Sequence, residues 1–213
     1  MKEGMDNIIL IGDSIFDNAG YVGEGESVTD ILRSITENES QVKLLAVDGD
    51  VTTDVPVQLE SFPDSATHVF ISCGGNDALR QVNVLNESVA SVGETMEKLH
   101  EIIELFRSNY QTMLRSVLNK NKNLAVCTVY NSMPGMSERT IRVLALFNEV
   151  IIEEAVKNKL PIIDLRVLCT EEADYSTISP IEPSGKGATK IANKIKHLVK
   201  NHDYSANETK IYA

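Results

Sequence analysis

The 213 residues carry 31 acidic against 20 basic side chains, a net charge of −11, with 42% hydrophobic residues. That length and balance fit one globular domain with its own core. The acidic surface repels phosphate backbones, and with no Trp and 5% aromatics there are few stacking platforms, so nucleic acid is not expected as a partner.

The first apolar run, "NIILIG" (7–12), reads as a strand. Its "IILI" is too short for a signal-peptide core and leads straight into a motif. No run approaches the roughly 18 apolar residues of a membrane span, so a cytoplasmic protein is expected. "VKLLAV" (42–47), "THVFISC" (67–73), "LAVCTVY" (124–130) and "LPIIDL" (160–165) read as four further strands, continuously apolar and so buried on both faces. Asp54 before Val55-Pro56 reads as a helix N-cap. Between the third and fourth strands Val89, Val92, Met96, Leu99, Ile103 and Phe106 step by three and four, the period of a helix. Ile141, Leu144, Ala145, Ile151, Ile152 and Ala155 do the same after the fourth. A last helix presents Ile191, Ala192, Ile195, Leu198 and Val199 on one face, with Ser184 as its N-cap. Residues 1–202 read as one domain and 203–213 as a polar tail expected to fray. Cys73, Cys127 and Cys169 are too few and odd in number for a disulfide framework, so reduced thiols are expected.

Five strands alternating with helices give an α/β fold, a parallel sheet with helices on both faces. In such sheets ligands bind beyond the carboxyl ends of the strands. Those ends carry Gly12-Asp13-Ser14, Asp48-Gly49-Asp50, Gly74-Gly75-Asn76-Asp77, Asn131 to Gly135 and Ser179 to Pro183. Ser14 is a hydroxyl at a strand-to-loop turn, where a nucleophile needs to be exposed. The backbone N–H groups of Ser14 and Gly49 and the side-chain amide of Asn76 are candidate donors for a developing oxyanion. No Gly-rich phosphate loop follows the first strand, so a nucleotide cofactor is not expected. Asp17, Asp48, Asp50 and Asp54 make the same edge acidic, but their spacing matches no cation-binding loop and no metal is expected. Asp13 and Asp77 are expected to brace their loops.

"GDSIFDN" (12–18), the glycine after the second strand and "GGND" (74–77), in this order and each after a strand, resemble the first three sequence blocks of the SGNH hydrolases, also called the GDSL family. The resemblance runs from the first strand to the last helix. It implies a three-layer α/β/α sandwich of flavodoxin-like type built on a five-stranded parallel sheet. It also implies Ser14 as nucleophile and Ser14, Gly49 and Asn76 as the oxyanion hole. The substrate it implies is a small-molecule carboxylic ester, or in some members a thioester or acetylated sugar.

The fourth block departs from the family. It ordinarily reads Asp-x-x-His-Pro before a glycine and the last helix. Here "SPIEPSGKG" (179–187) keeps Pro183 and Gly187 in register, but Ser179 stands at the aspartate position and Glu182 at the histidine position. None of His68, His100, His197 and His202 falls near Ser14 in this topology. Two readings of Glu182 stay open: a carboxylate base replacing imidazole, or a residue that only caps or salt-bridges its loop. An ester hydrolase with a reduced rate follows from the first, and a small-molecule binding module on the same scaffold from the second. An unshifted glutamate is a weaker base than histidine by about 3 kcal/mol, which burial would partly recover.

Overall fold

The computed structural model describes residues 5–37, 39–120 and 123–213. Residues 1–4, at the head of the N-terminal segment read above, lie outside the described residues. The strands are β1 (Asp6–Gly12), β2 (Ser40–Leu44), β3 (His68–Ser72), β4 (Leu124–Cys127), β5 (Ile162–Ile163) and β6 (Ile211–Tyr212). The α-helices are α1 (Val28–Ile35), α2 (Val55–Gln58), α3 (Gly75–Arg80), α4 (Val92–Leu118), α5 (Glu138–Lys157), α6 (Leu165–Leu168) and α7 (Gly185–Asn201). All strands pair in parallel, in the order β2-β1-β3-β4-β5-β6.

The period-two alternation of each strand divides the core into two layers. Ile9, Ile11, Val69, Ile71, Leu124 and Val126 point to one face, where Phe106 and Tyr110 of α4 and Phe147 and Ile151 of α5 cover them. Ile8, Leu10, Phe70, Ala125 and Ile163 point to the other, against Val28 and Leu32 of α1 and Ile191, Ile195 and Leu198 of α7. This is the expected α/β/α sandwich. Ser184 caps α7, its hydroxyl accepting from the N–H groups of Lys186 and Gly187. No helix among the described residues is long and apolar enough to cross a membrane.

The sheet has six strands, not the expected five. The tail adds β6 beside β5: Ile162 N–H donates to the Lys210 carbonyl at 2.9 Å and Asp164 N–H to the Tyr212 carbonyl at 2.8 Å. His202 Nδ1 meets the Tyr212 hydroxyl at 2.8 Å, and Tyr204 packs edge-on against His202. Two apolar residues in a polar segment carry no period, so the sequence gives no strand signal there. β2 is an edge strand and only half-buried, and it ends at Leu44, although the N–H groups of residues 45–47 still donate to carbonyls of β1. α4 departs too. Val92 is 81% and Met96 56% exposed, and burial begins only at Phe106. Asp54 stands before α2 but turns its carboxylate back to accept from Val51 N–H.

Truncation after Asn207 removes β6 with its ladder hydrogen bonds and the Tyr212 contact. It is expected to cost about 2 kcal/mol and to lower Tm by roughly 4–8 °C, as calorimetry would show. An unchanged Tm would mean that β6 adds nothing to stability.

Candidate active site

From β1 the chain turns outward to β2 on one side, then returns to lay β3 on the other side of β1. The crevice of an open α/β sheet lies at this reversal, beyond the carboxyl ends. β1 and β3 approach each other closely at that end. A Cβ on Gly12 would stand 1.8 Å from the Ser72 carbonyl oxygen, and Gly12 has φ +120°. Only glycine fits. Asp13 N–H then donates to the same carbonyl at 2.9 Å, and the chain bends into a turn closed by Phe16 N–H and Asp17 N–H on the Asp13 carbonyl. Ser14 sits in that turn, 7% exposed.

Two loops converge on Ser14. Gly49 has φ +84° and open space around its Cα. Its neighbour Asp48 is held from both sides: Asp48 N–H donates to Asp17 Oδ2 at 3.0 Å, and the Tyr21 hydroxyl donates to Asp48 Oδ2 at 2.5 Å. Asn76 Nδ2 donates one hydrogen to the Asp50 carbonyl at 2.9 Å, which ties the third-strand loop to the second. Its second amide hydrogen remains for a ligand, and no backbone carbonyl engages the N–H groups of Ser14 and Gly49 among the described residues. Asp77 accepts from Thr52 N–H and hydroxyl, the bracing expected of it.

Two residues that sequence reasoning passed over hold these loops in register. Gln58 accepts from Gly12 N–H at 2.9 Å and donates to the Gly12 carbonyl at 2.7 Å and to Asp50 Oδ2 at 2.8 Å. Asn18, fully buried, donates to the Pro183 carbonyl and accepts from Val28 N–H, each at 3.0 Å. Asn18 lay inside the quoted "GDSIFDN", so its place in the motif was a signal. Gln58 carried none, being one amide in a short helix.

Glu182 lies next to Ser14. Its backbone is fixed: its N–H donates to the Ser179 carbonyl, its carbonyl accepts from Ser176 N–H, and the Tyr130 hydroxyl donates to the carbonyl of Ile181. Its side chain is 3% exposed, with the Ser179 and Ser14 hydroxyls beside it, and Oε2 is buried with no hydrogen-bond partner. It caps no helix. Burial raises its pKa above the usual carboxylate range. The Ser179 and Ser14 hydroxyls pull it back down and the nearby Asp48 charge pushes it further up. Ser179, at the family's aspartate position, thus faces Glu182.

From Ser14 a cavity of about 70 Å³ runs under α3 and α5. Asp13, Ser14, Ser72 and Asn76 form its polar end, and Leu79, Val129, Met133, Met136 and Leu144 are among its apolar walls. The acidic rim does not converge on a cation site: Asp17, Asp48, Asp50 and Asp54 each accept a hydrogen bond from the loops. Among the described residues no group of three His, Cys, Asp or Glu side chains is placed to hold a metal ion. His68 opens β3 at the opposite end of the sheet and packs on Tyr204, His202 packs on Tyr204 and Tyr212, His197 sits near Tyr212, and His100 is exposed on α4. All three cysteines are free and buried.

The fold is the three-layer α/β/α sandwich of the SGNH hydrolases. Residues 10–189 match the GDSL-like lipase/acylhydrolase family, and the chain belongs to that family of ester-hydrolysing acylhydrolases. No curated protein gives a significant sequence match. Among solved structures, a lipase from a goat rumen metagenome is similar, at TM-score 0.69 and 18% identity, covering 90% of this chain and 96% of that one. The lipase/acylhydrolase of Enterococcus faecalis has TM-score 0.62 and 22% identity, covering 90% and 96%. An acetylxylan esterase of Geobacillus stearothermophilus has TM-score 0.64 and 18% identity, covering 96% and 98%.

Gln58→Leu removes the amide from Gly12 and Asp50 and leaves the buried Gly12 N–H unmatched, while the Gly12 carbonyl keeps the Val47 N–H. An unmatched buried group costs about 1–3 kcal/mol, so a drop of about 2 kcal/mol in unfolding free energy is expected from urea titration. A midpoint within error of wild type would show that water replaces the amide.

Proposed function

We propose that this protein hydrolyses carboxylic esters with an apolar acyl chain, using Ser14 as nucleophile and Glu182 as general base. The observation that carries the reading is the buried Glu182 carboxyl beside Ser14, whose Oε2 has no hydrogen-bond partner, while Ser14 and Ile181 line an apolar cavity. A buried carboxyl oxygen without a partner is costly, and such groups cluster at functional sites. Its raised pKa brings it closer to that of the imidazole it replaces.

In this mechanism Glu182 takes the hydroxyl proton as Ser14 Oγ bonds to the ester carbonyl carbon. Negative charge develops on the carbonyl oxygen, facing the N–H groups of Ser14 and Gly49 and the free hydrogen of Asn76 Nδ2. Collapse breaks the bond to the alcohol oxygen, which leaves with the proton from Glu182. Water then attacks the acyl-enzyme, gives its proton to Glu182, and the acid departs as Ser14 Oγ recovers a proton. The cavity of about 70 Å³ has room for roughly five to seven chain atoms, at about 10–15 Å³ per water-sized position. That exceeds an acetyl group and fits a short aliphatic acyl chain.

One observation favours the second reading, a binding module: Ser14 has no histidine near it, and its hydroxyl forms no hydrogen bond of ordinary length to Glu182 Oε2. Labelling with an alkyl fluorophosphonate and hydrolysis of 4-nitrophenyl hexanoate separate the two. Ser14→Ala is expected to abolish both, and Glu182→Gln to slow both by about 10²–10⁴. A base works ionised, so the wild-type rate should climb on the acid side of neutrality, with its midpoint above the ordinary glutamate value, while Glu182→Gln stays flat. Hydrolysis by Ser14→Ala at the wild-type rate would refute the mechanism. An absence of adduct at every pH would establish the binding module.

A further inference from the structure

The polar end of the cavity holds one side chain that the mechanism does not use. Asp13 is 4% exposed and, among the described residues, is the only carboxyl lining the cleft. Its Oδ1 accepts from Ile15 N–H at 3.2 Å, and Oδ2 lies toward the start of α3, 3.8 Å from where a Cβ on Gly75 would be. The cleft around it is lined by Ile15, Ala78, Val129 and Leu144. No ion pair offsets it. The groups that face it are Asp77 on α3, Cys73 after β3, Cys127 on β4 and Tyr130 beyond β4. Burial holds the two thiols and the phenol protonated, so the charge acting on Asp13 is the like charge of Asp77.

We propose that Asp13 gates the cleft by its protonation state: an uncharged aliphatic chain enters while this carboxyl is neutral and is turned away once it is ionised. Solvent in the cleft helps to stabilise an ionised carboxylate at its polar end, and an apolar chain that displaces this solvent leaves the charge less well solvated. A neutral carboxyl loses far less. Burial, opposed by the Ile15 N–H and Ser72 contacts, pushes its pKa up to about 7, so the gate turns near neutrality. The proposal rests on the reading of the cleft as an acyl site and not on the chemistry of Ser14 and Glu182. For an active enzyme it adds a descending limb above neutral pH to the ascending limb of Glu182.

The test is equilibrium binding of 1-hexanol, which is not a substrate, to the full chain with methyl-13C methionine. The methyls of Met133 and Met136 line the cleft and report its occupancy. The dissociation constant is expected to rise about tenfold from pH 6 to pH 8 in wild type, and to be the same at both in Asp13→Asn. Equal wild-type affinity at the two pH values, or a tenfold slope retained by Asp13→Asn, overturns the gate. Should Asp13→Asn fail to fold, wild type suffices. Linkage is reciprocal, so saturating 1-hexanol must raise the titration midpoint of the Asp13 carboxyl, read by 13C, and an unmoved midpoint overturns the gate. Failure of 1-hexanol to bind at either pH overturns the gate together with the acyl-site reading, whereas loss of esterase activity alone touches neither.

Discussion

The near-contact of β1 and β3 at Gly12 is the constraint on which the rest of the site hangs. A side chain there would drive into the Ser72 carbonyl, so the strands could not stay paired to their last residue. Because they do, Asp13 N–H reaches the same carbonyl and the turn that bears Ser14 starts from a fixed point. Gln58 fastens the other face of Gly12 and extends the fixed point to Asp50, beside Gly49. Asn76 then closes on the Asp50 carbonyl. Three loops from three strands are thereby referenced to one glycine. Prepositioned donors are what an oxyanion site requires, because reorganisation during the reaction would consume the stabilisation they provide.

The electrostatics of the edge follow from burial without counterions. Glu182 and Asp13 are both carboxyl groups taken out of water, and neither is paired with a cation. Their environments still differ. Glu182 faces the hydroxyls of Ser179 and Ser14 and the charge of Asp48, whereas Asp13 faces the Ile15 N–H, the Ser72 hydroxyl and the charge of Asp77. In both, burial outweighs these contacts and raises the pKa. A histidine at position 182 would bring a positive charge to the edge on protonation. The glutamate itself is neutral or negative at every pH.

Much of this was legible in the sequence, for reasons that can be named. Buried parallel strands write themselves as unbroken apolar runs, so β1, β3 and β4 were found to within a few residues. Residues at strand ends stand in short, ordered motifs, and Ser14, Gly49, Asn76 and Glu182 were singled out from them as candidates. The misses have a common cause: partners distant in sequence. β6 exists only because β5 offers an edge. The first turns of α4 have a helical apolar period, but Val92 and Met96 stay exposed, the stripe becoming half-buried by Ile102 and Ile103 and buried from Phe106. Gln58 and Asn18 matter through bonds that span 46 and 165 residues, and no local pattern records such a bond.

That uncovered stretch of α4 has a thermal consequence. A helix of 27 residues is about 40 Å long, and its first turns have few buried neighbours to hold them. Segments of this kind open at free energies well below that of the whole domain. Leu79, Val82 and Leu85 belong to the connection that leads into it, and these same residues form one wall of the cleft. That wall runs into the exposed first turns of α4 on one side while α5 packs against it on the other, so as temperature rises its α4 end is expected to loosen before the sheet beneath it does.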